Sequence, residues 1–237
     1  MYKKEFKIPS QYTNNFYDGS IYDLVFLDLE WCRDFHQDGL AVQKIFGYTL
    51  TRILENSNEQ YIKIQFIESS TQEKKIIQDI LNDLQNFQNK YFIGYGLSTS
   101  DMFCLRQRME ALDFIPKVDK IKILDLQKTS QRNDLNQGLN NLFAYLGIPI
   151  YKKIKGYYVF RNGSKVLHKE KGYETVLNEI YEYCLEDAEN YFHIIHNWQS
   201  QFPLVDRTMH QIVNLKIDPR SEHRIRSRRG AALQRPS

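Results

Sequence analysis

The stretch that most constrains this chain is Asp23-Leu24-Val25-Phe26-Leu27-Asp28-Leu29-Glu30-Trp31. Leu24 to Leu27 form a short apolar run with a β-branched and an aromatic member, and such a run reads as a strand buried on both faces. Strand side chains alternate, so Asp28 and Glu30 leave the strand on the same face. Two carboxylates side by side at the end of a buried strand repel each other and lose hydration. A divalent cation that takes oxygen ligands is the simplest compensation. A strand already leaving the core would instead leave both acids solvated. The choice depends on whether the chain supplies more carboxylates to the same place.

The chain has 237 residues, enough for one domain or one and a half, and 42% of them are hydrophobic, enough for a core. No apolar run approaches the roughly 18 residues of a membrane span, and Met1-Tyr2-Lys3-Lys4-Glu5-Phe6 lacks the apolar centre of a signal peptide. Cys32, Cys104 and Cys184 are odd in number and widely spaced. They make neither a disulfide framework nor a CxxC zinc pattern, so the expected setting is a reducing cytoplasm. His193 and His196 stand three apart with no partner cluster and read as surface or satisfied side chains. The net charge of +3 hides an uneven distribution. Residues 207–237 carry eight Lys/Arg against Asp218 and Glu222, and residues 151–172 carry seven Lys/Arg against Glu170. The remainder is acidic. An acidic body with two basic segments suits a polyanionic partner held at defined places.

In chain order, residues 1–20 read as an irregular lead-in and 32–44 as a loop. After the strand ending at Glu30, Ile45–Ile53 reads as a second strand and Tyr61–Ile67 as a third, half exposed because Lys63 and Gln65 alternate with Ile62, Ile64 and Phe66. Ser70-Thr71-Gln72-Glu73 is a capping-box sequence, followed by Ile76, Ile77, Ile80, Leu81, Leu84 and Phe87 at helical spacing. A fourth strand is expected at Tyr91–Tyr95, and a helix from Ser98–Ser100 through about Leu112. A fifth strand is expected at Ile121–Leu126, and a helix over Leu135–Leu146 that Gly147 stops. Tyr157-Tyr158-Val159-Phe160, Asn162-Gly163 and Val166-Leu167 give a hairpin signal within a basic insertion spanning 149–172. A long helix follows from Tyr173 to Ser200. The expected fold is α/β: a mixed five-stranded sheet, antiparallel in strands 1–3 and parallel in strands 4 and 5, flanked by helices. One domain is expected over 1–206, with its core over about 22–200. Residues 207–237 read as a basic, flexible tail or vector-derived sequence.

The last helix carries an anomaly. Val176, Ile180, Cys184, Tyr191, Ile194 and Trp198 mark its apolar stripe, and Asp187 sits in the middle of it. A carboxylate on a buried face needs a cation or strong donors, and a Lys or Arg partner would also serve. Tyr183, four residues earlier, projects from the same face. Asp101, straight after the fourth strand, could simply meet a helix dipole. It reaches the same sheet edge as Asp28 if the first and fourth strands are parallel neighbours.

Together, Asp28-x-Glu30, Asp101 and Tyr183-x-x-x-Asp187 resemble the DEDD 3′–5′ exonucleases of the ribonuclease-H-like superfamily, in the form of their tyrosine subgroup. Leu124-Asp125-Leu126 and Leu142-x-x-x-Leu146-Gly147-Ile148 fit the same pattern over residues 22–200. The middle motif departs from it: the family has Asn or His-Asn before the helix and Phe before the Asp, where this chain has Gly94-Tyr95-Gly96 and Ser100. The resemblance implies a metal-dependent exonuclease in which Asp28, Glu30, Asp101 and Asp187 hold two Mg²⁺ or Mn²⁺ ions and Tyr183 orients the attacking water. A tyrosine pKa near 10 makes it a poor base at neutral pH. The expected partner is nucleic acid with a single-stranded 3′ end. In the basic segment, Lys152, Lys153, Lys155 and Arg161 would contact phosphate and Tyr157 would stack on a base. The alternatives are a catalytically silent nuclease-like domain that binds nucleic acid or a protein, and a ribonuclease-H-like endonuclease, which the Tyr-x-x-x-Asp helix disfavours.

Overall fold

The computed structural model describes residues 1–10, 20–35, 41–57, 59–114, 120–128, 138–149, 152–201 and 211–214. The element order is β1 (Tyr2–Pro9), β2 (Leu24–Phe35), β3 (Ala41–Ile53), β4 (Glu59–Phe66), α1 (Glu73–Asn86), β5 (Tyr91–Gly94), α2 (Met102–Ala111), β6 (Lys120–Asp125), α3 (Leu139–Tyr145), α4 (Gly156–Leu167), α5 (Tyr173–Gln201) and β7 (Gln211–Asn214). The strands form one sheet in the order β1-β4-β3-β2-β5-β6-β7. β2, β3 and β4 are the antiparallel meander, and β5 and β6 run parallel to β2. The expected five-stranded mixed sheet is therefore present, widened by one antiparallel strand at each edge.

The central strand is buried on both faces because its alternation feeds two separate cores. Val25, Leu27 and Leu29 pack with Ile76, Ile77 and Ile80 of α1 and Leu105 and Met109 of α2. Leu24 and Phe26 pack with Leu142 and Phe143 of α3 and with Tyr191, Phe192 and Ile195 of α5. Phe26 stacks on Tyr191 at 4.7 Å between ring centroids and meets Phe192 edge-on at 5.0 Å. Asp28 and Glu30 continue the Phe26 face, so they point toward α5.

Several expectations are corrected. The lead-in is a strand: β1 pairs with β4 from Tyr2 opposite Phe66 to Pro9 opposite Glu59. Half of its side chains are charged, as suits an edge strand held by main-chain pairing, and little hydrophobic signal marks it. β4 is not half exposed. α1 covers that face, and the polar side chains there are paired: Lys63 Nζ lies 2.7 Å from Asp83, and Gln65 Nε2 donates to Asp79 at 2.7 Å. The capping sequence begins one residue earlier than expected, with Ser69 capping a short turn before Glu73 opens α1. Residues 156–167 are a helix, not a hairpin. Val159, Gly163, Val166 and Leu167 are its buried stripe. Asn162-Gly163 makes no turn, because Gly163 is where the helix touches the sheet. A Cβ there would lie 2.7 Å from Cβ of Cys32 and 2.6 Å from the Phe46 ring. Residues 211–214 pair with β6 rather than belonging to a loose tail. The loop expected over 32–44 is largely strand, since β2 runs on to Phe35 and β3 begins at Ala41; 36–40, 135–137 of the expected third helix and the other residues of 207–237 lie outside the described residues. Among the described residues no helix is long and apolar enough to cross a membrane.

Candidate active site

β2 delivers its two acids to the middle of the sheet's α5 side. The β2–β3 register shifts between Glu30 and Trp31, with Phe46 as the extra residue, and such a bulge bends the strand where it meets a site. Tyr191 of α5 donates its hydroxyl to Asp28 Oδ2 at 2.8 Å, and Cys184 lies 3.1 Å from Glu30 Oε1. β2 and β5 are parallel neighbours, so the turn after β5 reaches the same edge. That turn is a single π-helical turn, Leu97–Asp101, entered through Gly96 at φ +77°. Asp125 at the end of β6 ties it down, accepting from the backbone N–H of Gly96 and of Ser98 at 2.9 Å each. Asp101 is its last residue, buried, with the Ser100 hydroxyl 3.2 Å from Oδ2.

A cleft of about 390 Å³ opens here, lined by Asp28, Glu30, Asp101, Ser100 and Tyr183 together with Trp31, Tyr157 and Phe160. Asp187 lies one turn beyond Tyr183, 1% exposed. It is outside the cleft lining, but its charge reaches Glu30 and Tyr183. The electrostatics show that these acids form one group. Burial pushes the Glu30 carboxyl up to about 8, and the charge of Asp28 adds to the shift. Burial raises Asp187 to about 7; Lys152 opposes the shift and Asp28 adds to it. Burial also raises Asp28, against the hydrogen bond from Tyr191, and raises Asp101 well above the usual range with help from Asp28. The phenol of Tyr183 is pushed up by burial and by Asp187, Glu30 and Asp28. It therefore holds its proton and can donate or orient, but it is not a base at neutral pH.

The donor chemistry fits a divalent cation: the acids are hard oxygen donors that burial and mutual repulsion leave short of positive charge. Asp187 Oδ2 is buried with no hydrogen-bond partner among the described groups. Oδ1 is taken by the ammonium of Lys152, with side chains 3% and 1% exposed. Among the described residues no three His, Cys, Asp or Glu side chains are gathered around a single point.

The basic segment divides. Lys152, expected on phosphate, is inside the acid group. Lys153 lines a separate hollow of about 550 Å³ beside Glu179, Glu182, Glu186 and Glu189 on the outside of α5. This hollow is the larger, yet none of the four grouped acids lines it. Lys155 is exposed at the start of α4. Tyr157, 67% exposed, stands at the cleft with the Arg161 guanidinium 5.6 Å from its ring centroid. The sequence reading gave no role in the site to Trp31, which meets Phe160 edge-on at 5.2 Å. Phe160 stands three residues after Tyr157, a helical spacing that the hairpin reading hid. It also missed Tyr191, though Tyr183, Asp187 and Tyr191 stand at intervals of four on one helix face.

A family model described as RNase_H_2, of the RNase H superfamily, matches residues 17–199. Comparison with curated proteins finds no match. Among solved structures, the family B DNA polymerase from the hyperthermophilic archaeon Pyrobaculum calidifontis is similar with a TM-score of 0.50 and 13% sequence identity. The likeness covers 76% of this chain and 24% of the polymerase, so the chain spans about a quarter of that protein. At that identity the likeness speaks for the fold.

Proposed function

The chain belongs to the RNase H superfamily, and from that premise we propose that it is a metal-dependent 3′–5′ exonuclease of the DEDD tyrosine subgroup. The observation that carries this reading is a cleft lined by Asp28, Glu30, Asp101 and Tyr183, with Asp187 buried one helical turn beyond Tyr183. Mg²⁺ or Mn²⁺ ions, two in the full mechanism, would be held by these four carboxylates and would activate water and stabilise the leaving oxygen. Tyr183 keeps its proton and orients the nucleophile. Trp31, Phe160 and Tyr157 give the cleft lining three aromatic side chains, which suits unpaired bases at a strand end, with Arg161 beside Tyr157 for phosphate. Base stacking of this kind takes DNA and RNA alike.

The test is degradation of 5′-labelled single- and double-stranded DNA and RNA, with and without Mg²⁺ or Mn²⁺. The expected result is a ladder shortening from the 3′ end that a chelator stops. Cleavage of a circular strand would make the enzyme an endonuclease. The second reading, a catalytically silent nucleic-acid- or protein-binding domain, is favoured by Lys152, which already neutralises Asp187. Binding of labelled strands with no product at saturating metal would establish it.

A further inference from the structure

β2 does not end at the cleft. It runs on from Glu30 to Phe35, paired with β3 from Trp31 opposite Ile45 to Phe35 opposite Ala41. β5, its neighbour on the other side, is paired with it from Leu24 to Phe26. The two strands thus form an arm beyond the acids. Side chains alternate along it, and its two faces differ. On one, Cys32 and Asp34 are buried. Gly163 of α4 seats against Cys32, and Asp34 is held by Lys44 and by His168, directly after α4. On the other face lie Trp31, Arg33 and Phe35, with Gln43 and Ala41 opposite the last two on β3. This face begins in the cleft, which Trp31 lines, and then opens to solvent: Arg33 is exposed and Phe35 is 56% exposed.

The Arg33 guanidinium lies 5.2 Å from the Phe35 ring centroid, and among the described residues no carboxylate is paired with it. Tyr157 and Arg161 make the same kind of pair at the cleft. An exposed guanidinium beside an exposed ring offers a cation for phosphate and a flat face for a base. The two pairs stand on elements that leave the cleft together, since α4 follows the arm from Phe160 beside Trp31 to its end beside Asp34. From Glu30 to Phe35 the strand covers about 16 Å at roughly 3.3 Å per residue. That is the length of about five stacked nucleotides at roughly 3.4 Å each. We propose that the Arg33–Phe35 pair is a second nucleic-acid contact, which grips the substrate single strand about five nucleotides 5′ of the end held in the cleft. This rests on the reading of the cleft as the seat of a 3′ end. It adds where the rest of the strand lies, and it makes affinity depend on strand length. The occupant is a single strand because a base must be unpaired to meet the Phe35 ring.

The experiment is binding of single strands of four and of twelve nucleotides to the full-length protein in chelator, where nothing is cleaved. Phe35→Ser should bind the longer strand about tenfold more weakly than wild type and the shorter one as wild type does. Arg33→Gln should lower the salt slope for the longer strand by about 0.7. A 5-iodouracil placed at the fifth or sixth position from the 3′ end, but not at the last, should crosslink on irradiation to the peptide that contains Phe35. Both side chains are exposed, so the variants should melt as wild type does. If both variants bind the longer strand with wild-type affinity and salt slope, the second contact is wrong while the cleft reading stands. Equal losses on the two lengths also overturn it, because the arm would then only shape the cleft. If the variants change self-association rather than strand binding, the face is a contact between copies and the proposal fails. If wild type binds neither strand, the cleft reading fails with it.

Discussion

At Asp28 two effects oppose each other. Removing its charge relieves Glu30, Asp101 and Asp187, all of which it pushes toward the protonated form. It also strips the Tyr191 hydroxyl of its acceptor, a loss of about 1 kcal/mol. Asp28→Ala should therefore melt near the wild-type temperature while losing metal-dependent hydrolysis by roughly 10³-fold or more. Full turnover at saturating Mg²⁺ or Mn²⁺ would remove Asp28 from the chemistry. Tyr183 makes the complementary test. Its ring packs beside Lys152 and its hydroxyl faces the cleft near Gly156. Tyr183→Phe keeps the ring, so stability should change by less than about 0.5 kcal/mol. A hydroxyl that orients water predicts single-turnover cleavage slower by about 10²-fold at nearly constant substrate affinity. Equal rates in the two proteins would make Tyr183 a packing residue.

At the scale of elements, α4 decides how open the cleft is. It carries Tyr157 and Phe160 into the lining of the cleft, and it lies against β2 through the missing side chain of Gly163. A methyl group there meets Cys32 and the Phe46 ring below 3 Å. Neither neighbour is the free end of a flexible chain, so the helix must move. Gly163→Ala should cost about 1–3 kcal/mol in urea unfolding and weaken binding of a short single strand, with little change in the rate of the bound complex. Unaltered stability would show that α4 is not seated as closely as described. The π turn at Leu97–Asp101 is the other deciding element. Asp125 accepts from its N-terminal amides, which fixes Asp101 at its last residue.

At the scale of the molecule, the acid group makes stability depend on pH. Glu30 rises from 4.5 to about 8 and Asp187 from 3.8 to about 7 on folding, while Asp28 and Asp101 move in the same direction. The folded state then holds protons that the unfolded chain releases, and stability falls as pH rises wherever that holds. The contribution is complete below about pH 4 and declines as pH rises through the values of about 7 for Asp187 and about 8 for Glu30. The metal-free protein should therefore lose a few kcal/mol between pH 5 and 8 in chemical denaturation. Mn²⁺ should restore more of this at pH 8 than at pH 5, because it binds the ionised acids. Stability that rises over this interval in chelator would mean that the acids are solvated or already satisfied.

The sequence by itself determined the central strand, the succession of the five inner strands along the chain, and the residues that bear the acids. Each of these is local: a run of apolar side chains, a period of two or of 3.6, an acid interrupting a stripe. Asp187 was legible because a charge on an apolar helix face is anomalous wherever the helix packs. Only the tertiary structure decided what depends on contacts far apart in the chain. Tyr2–Pro9 is a strand because β4 offers an edge to pair with, not because of its own side chains. Residues 156–167 are a helix whose stripe of Val159, Gly163, Val166 and Leu167 is buried, seated so closely at Gly163 that Cys32 and Phe46 leave no room for a side chain. Lys152 is a buried counter-ion rather than a phosphate contact because Asp187, Tyr183 and Phe143 close around it. Local propensity treats a lysine as solvated, whereas a fold that concentrates buried carboxylates makes the interior the better place for one ammonium.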